Sequence, residues 1–135
     1  MDTAIVLRQL SRPKPKDPAG DSRMKPKLST DPMYKLLRDG KITEFNARFQ
    51  AKEKPDFTNC DFRGVDLRGL EVTGVDFSGS YFRQADLRGV DLSHCNLDGA
   101  SIHGAQISGV LFPRELSPQE IMLSHQQGTR MRYGL

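Results

Sequence analysis

The chain has 135 residues, 36% of them hydrophobic, no tryptophan and a formal net charge of +3, which fits one small domain with tails. No apolar run of about 18 residues occurs, which argues against a helical membrane span, and the two cysteines, Cys60 and Cys95, are too few for a disulfide-stapled secreted scaffold. The opening MDTAIVLRQLSRPKPK lacks the basic and apolar regions of a secretory leader, so a cytoplasmic location with both thiols reduced is the expectation.

Charge divides the chain into regions. Residues 1–54 hold 13 Lys/Arg against 7 Asp/Glu, a balance of +6; residues 55–114 hold 5 against 8, or −3; residues 115–135 hold 2 against 2. Residues 1–30 include SRPKPKDPAGDSRMKPKLS, which has too little to bury to offset its ordering entropy and is expected to be a disordered basic Pro/Lys-rich tail. Within it, Ala4 to Leu10 form a short apolar segment suited to ordering on a partner.

Residues 31–54 are expected to form an N-terminal helical cap. DPMYKLLRDG supplies Asp31 as N-cap, Pro32 at the first helical position and Gly40 as terminator. KITEFNARFQAK then places Ile42, Phe45 and Phe49 on one helical face, and Pro55 ends the run.

From Pro55 to Arg114 an apolar residue returns every five positions: Phe57, Phe62, Leu67, Val72, Phe77, Phe82, Leu87, Leu92, Leu97, Ile102, Ile107 and Phe112. Five suits neither a helix, where the stripe would wander, nor a strand, where alternate residues would face opposite ways. The period makes sense only if the chain turns a corner between repeats. Glycine closes eight of the twelve units, as tight turns with positive φ require. Taking every twentieth residue gives columns such as Phe57–Phe77–Leu97 and Phe62–Phe82–Ile102, the like-on-like stacking of a four-sided solenoid.

QADLRGVDLSHCNLDGA at 84–100 resembles the A(D/N)LxX consensus of the pentapeptide repeat proteins. The resemblance implies an all-β solenoid: a right-handed quadrilateral parallel β-helix of about three coils, capped by short N- and C-terminal helices. Leu70, Ser80 and Tyr81 depart from the consensus, and the last units, ASIHGAQISGVLFPR, drift furthest. Three coils at about 4.8 Å each give a stack only about 14 Å tall, with two edges that need covering.

Residues 115–135 are expected to form a helix and a basic tail. In LSPQEIMLSHQQG, Ser117 is the N-cap, Pro118 follows, Glu120 completes a capping box and Gly128 lies just past the end. Leu116, Ile121, Met122 and Leu123 serve either to cap the last coil or to form a dimer, so the chain is expected to be a monomer or a dimer through this helix.

No phosphate loop, zinc-type spacing or nucleophile with a placed base is evident, so no catalytic residue, metal, cofactor or enzymatic activity is expected. Outward positions stack Arg63, Arg83 and His103 on one side and Arg68, Arg88 and Ser108 on the next, a candidate face for an acidic protein patch or a nucleic-acid backbone. The leading expectation is a non-catalytic protein-interaction or scaffold module with a protein partner. A second reading, implied by the resemblance, is a DNA-mimic binder or protector of a type II topoisomerase. A third is weak nucleic-acid binding through residues 1–30.

Overall fold

The structure is a computed structural model that describes residues 25–134. Three helices and a central stack make up the body: α1 (Pro32–Arg38), α2 (Ile42–Gln50) and α3 (Pro118–Gln127). Of the tail expected over residues 1–30, residues 1–24 lie outside the described residues.

Through residues 57–112 the backbone rises one layer every 20 residues. Parallel bridges join Asp61 to Tyr81 and Tyr81 to Ser101, Asp66 to Asp86 and Asp86 to Gln106, Asp76 to Asn96, and Asp91 to Leu111. These are four columns, one per pentapeptide of a 20-residue layer. Their hydrogen bonds repeat in two steps: Phe62 N–H to Tyr81 O at 2.7 Å and Tyr81 N–H to Cys60 O at 3.0 Å. Extended strands, expected from the solenoid reading, do not form; the pairing consists of single-residue bridges. The cause is the short module, which bends after each pairing residue. The bend is a turn such as Phe62–Val65, closed by Val65 N–H to Phe62 O at 3.2 Å. Gly64 sits at its third position with φ +71°, the value a type II turn demands there.

The interior holds one residue pair from each module. Phe57, Phe62, Leu67, Phe77, Phe82, Leu87, Leu92, Leu97 and Ile102 are essentially inaccessible, and Val72 nearly so. Small or medium residues such as Cys60, Val65, Ala85, Cys95 and Ala100 fill the second slot. Cys60 and Cys95 are free thiols, and burial pushes each up to about 11. Ser80 replaces an apolar residue in that slot; its hydroxyl donates to Phe57 O and accepts from Cys60 N–H, so the buried polar group is satisfied.

The N-terminal end of the stack is covered by α1, α2 and the segment at Lys27. Asp31 caps α1 by accepting from Met33 N–H at 2.8 Å and also accepts from Asp56 N–H at 2.9 Å. Tyr34 donates to Asp61 O, Arg38 donates to Arg63 O at 2.8 Å, and Asn46 bonds both Gly69 O and Glu71 N–H. Phe45 of α2 stacks on Phe57 at 5.8 Å and Tyr34 of α1 tilts against Phe62 at 5.2 Å, continuing the aromatic columns into the cap. The boundary expected at residue 30 falls too late: Lys27 bridges to Cys60 in parallel, with Asp61 N–H bonding Lys27 O at 2.9 Å. Backbone pairing, which needs no apolar side chain, orders that part of the segment.

The C-terminal end is covered over the 97–100 and 101–104 sides, and α3 also reaches the next side, where His125 Nε2 lies 2.9 Å from Ala105 O. Ser124 accepts from Ile102 N–H at 3.0 Å, and His125 O accepts from Gly104 N–H at 3.1 Å. Residues 129–134, expected as a loose basic tail, instead strap the 96–100 side. Met131 is fully buried and bonds both Gly99 N–H and Ala100 O, and Tyr133 Oη accepts from Leu97 N–H at 2.9 Å. Over the remaining sides, Ile107, Val110 and Phe112 are only partly buried, and among the described residues no group bonds the Ile107 or Phe112 N–H.

Candidate interaction surfaces

A five-residue module buries its first and third residues and points its second, fourth and fifth outward, so outward side chains twenty apart form columns. Arg68 and Arg88 occupy one such column beside Asp66 and Asp86. Arg68 Nη2 lies 2.8 Å from Asp66 and its Nε 3.3 Å from Asp86, while Arg88 Nη2 lies 2.7 Å from Asp86. The Arg68 guanidinium holds the Asp66 carboxyl down to about 2, and Arg88 likewise lowers Asp86. The column is therefore a self-neutralised ladder rather than an open basic face.

The neighbouring column is split. Arg63 is exposed, and its side chain has no ion-pair partner among the described residues. Arg83 is drawn inward: its Nη2 donates to Gly128 O at 3.2 Å, its Nε reaches Ser101 Oγ at 3.4 Å, and its guanidinium lies 4.2 Å over the Tyr81 ring. His103 is exposed, with Gly128 packed against its ring. Of the five residues grouped by sequence, the structure leaves Arg63 and His103 outward and uncommitted to an ion pair and ties Arg68, Arg83 and Arg88 to internal partners. The reason is local: aspartate two residues before Arg68 and Arg88, and the returning strap beside Arg83.

Tyr81, which departs from the repeat consensus, organises that strap. Arg130 lies 5.1 Å over the same ring and its Nη1 donates to Gly79 O at 3.2 Å and Gly99 O at 3.0 Å. Glu120 does not close the expected capping box; its carboxylate accepts from Arg132 N–H at 2.9 Å and pairs with the Arg132 guanidinium at 2.7 Å. That pairing holds the Glu120 carboxyl below its ordinary value. Arg130, Arg132 and Tyr133 carry no periodic signal, so sequence reasoning missed them; the only pointer was the aromatic residue at Tyr81.

The α3 residues divide by face. Leu116 is buried and Ile121 packs on the core, so both close the last coil. Met122 and Leu123 remain 47% and 39% exposed, and Leu111 at the end of the stack is 57% exposed. Ile107, Val110 and Phe112 of the last layer are only partly buried, and at the N-terminal end Leu28 is likewise exposed, at 66%. Among the described residues no His/Cys/Asp/Glu cluster has metal-site geometry, and no helix is long and apolar enough to cross a membrane.

A family model described as pentapeptide repeats matches residues 56–79 and 76–112, with 8 copies. No curated protein matches the chain, and no solved structure does. The matched span coincides with the 20-residue layering, the turn glycines and the paired inward slots described above, so the central segment, residues 56–112, consists of pentapeptide repeats.

Proposed function

We propose that the chain is a non-catalytic protein-interaction module whose stack is a right-handed, four-sided β-helix. The four columns of parallel bridges support the four-sided shape, and the family resemblance supports the hand. The observation that carries the interaction reading is the uneven capping. Helices, Lys27 and Asn46 bond backbone groups along the N-terminal edge, whereas Leu111, Met122 and Leu123 stay exposed toward the other end. Exposed apolar residues on an otherwise charged body favour a binding surface. Arginine–aspartate pairing and Asx-type turn bonds such as Ser78 N–H to Asp76 commit the outward polar groups to structure, which favours a rigid presenter over a catalyst.

Capture with immobilised full-length protein tests this. A protein from extracts of its native cell should bind the wild type and Arg63→Ala equally and be lost on Leu111→Asp/Met122→Asp. Equal retention by all three, or no specific protein, would overturn the reading. A dimer through α3 would bury the same Met122 and Leu123, and sedimentation distinguishes it. The topoisomerase reading draws support from the acidic sides but is opposed by arginines on the other two and by a stack of three layers, about 14 Å tall; a type II topoisomerase supercoiling assay decides it. Nucleic-acid binding through residues 1–30 predicts salt-sensitive retention on DNA.

A further inference from the structure

The second residue of each module decides how much negative charge a side carries outward. Three sides hold a carboxylate there in both of their first two layers: Asp56 and Asp76, Asp66 and Asp86, Glu71 and Asp91. The remaining side reads Asp61, Tyr81, Ser101, so its carboxylates stop after one layer. Its cations do not stop: Arg63 and Arg83 stand at the fourth position, and His103 completes the column. On the next side Arg68 and Arg88 are cancelled by Asp66 and Asp86. Here nothing cancels them. Among the described residues no carboxylate lies within ion-pair distance of Arg38, Arg63 or Arg83. Asp61 turns its Oδ1 onto Arg63 N–H at 2.9 Å, inside its own turn.

The cations form a single row. Gly64 N–H bonds Arg83 O and Gln84 N–H bonds His103 O, each at 2.9 Å, so positions 63, 83 and 103 descend in steps of about 4.8 Å. Arg38 of α1 extends the row upward, with Nη1 on Arg63 O at 2.8 Å. Arg83 is held to Gly128 O and the Tyr81 ring. Those partners carry no charge, so Arg83 offers no open fork yet keeps the potential of the side positive. Arg38 and Arg63 are exposed and have guanidinium N–H groups to give a carboxylate. The aromatic ring beside the row is already taken by Arg83 and Arg130, which leaves no platform for stacking bases. A row one residue wide suits a single extended polypeptide, which advances roughly 3.3 Å per residue, so about five residues reach from Arg38 to His103.

We propose that this side docks an extended Asp/Glu-rich segment of a protein partner, its carboxylates paired with Arg38 and Arg63 and its chain running down the row to His103. Both ends of the side are closed, by Tyr34 of α1 on Asp61 O and by Ser124 of α3 on Ile102 N–H, so docking here uses side chains and no open backbone edge. The site goes beyond the reading built on Leu111 and Met122 and does not rest on it. The acidic segment is a different ligand from the protein held there, whose capture is indifferent to Arg63.

Fluorescence anisotropy of a fluorescein-labelled oligoglutamate of about six residues, added to the full chain at low salt, tests the proposal. The peptide should bind, lose about tenfold in affinity in Arg38→Gln/Arg63→Gln, and weaken as salt rises. Arg48→Gln/Lys52→Gln, an equal loss of charge in and just after α2, should leave the affinity unchanged. In the wild type, amide resonances of Arg63, Gln84 and His103 should shift on titration while those of Glu71 and Asp91 stay in place. Absence of binding, an equal loss in the Arg48→Gln/Lys52→Gln variant, shifts confined to another side, or tighter binding of an oligothymidylate of equal charge overturns the proposal. Leu111→Ser/Met122→Ser removes the exposed apolar residues without adding charge and should keep the oligoglutamate. Peptide binding lost in that variant would place the site elsewhere and overturn the proposal, whereas loss of protein capture alone bears only on the other surface.

Discussion

The rings of Phe62 and Phe82 stack at 5.2 Å with 5° between their planes, although twenty residues separate them in the chain. Phe57 and Phe77 repeat the relationship at 5.5 Å, and edge-on contacts of 5.3 Å join the two columns within each layer. This aromatic block is the centre of the core, and it makes the middle layer the most sensitive part of the protein. Phe82→Ala should cost about 3–5 kcal/mol, a large share of a small domain's stability. Urea unfolding monitored by circular dichroism reads the loss, and an unchanged midpoint would refute the stacking.

The strap makes a second, separate contribution. Met131 is fully buried against the last layer, so Met131→Ala should destabilise by about 2–5 kcal/mol. A loose tail would give no shift in the thermal midpoint. Tyr81→Ala should weaken the same strap by releasing Arg83 and Arg130, with about 1–2 kcal/mol expected from two partly exposed cation–π contacts.

Gly79 tests the turn geometry. Its φ is +71°, and a Cβ there would sit 2.2 Å from Asn59 Oδ1. Gly79→Ala therefore meets two penalties, a strained backbone and a clash. Adding Asn59→Gly, which tolerates that residue's own left-handed φ of 54°, should recover the clash and leave the backbone penalty at position 79 of about 1 kcal/mol. Full recovery in the double variant would show that the turn does not need a left-handed residue.

Stability should also depend on acid. The Asp66 carboxyl titrates near 2 in the folded protein because Arg68 bonds it, below the unfolded value of about 3.9. The folded state thus binds fewer protons in this window, and the contribution is complete above about pH 4 and lost as pH falls toward 2. Both side chains are half exposed, so the effect is small and screened by salt. A carbon-13 titration of the Asp66 carboxyl should show the low midpoint, which Arg68→Gln should raise; a midpoint near the ordinary value would remove the ladder.

The five-step period was enough to place the core, because burial forces apolar residues into register at every corner and nothing else enforces that spacing. Phe62 and Phe82 could be paired across twenty residues for that reason. The caps of α1 and α3 were also local: Asp31 and Ser117 bond backbone groups two and three residues ahead. What the sequence concealed are contacts between segments with no shared period. Glu120 meets Arg132 twelve residues on, Arg130 reaches Gly79 fifty-one residues back, and Lys27 joins the first layer through backbone alone. Charge composition marked 129–135 as a tail, yet Met131 and Tyr133 supply the apolar anchors that hold residues 129–134 down. The arginine columns were placed correctly along the chain, but their partners decide whether they are available, and Arg83 is not.

The layering itself is open to direct observation through scalar couplings across hydrogen bonds. The account predicts couplings from the Leu67 amide nitrogen to the Asp86 carbonyl carbon and from the Asp86 amide nitrogen to the Val65 carbonyl carbon, with the same offsets at Phe82–Ser101 and Ser101–Ser80. Couplings between layers at any other offset along residues 57–112, or none between layers, would contradict a chain that stacks every twenty residues.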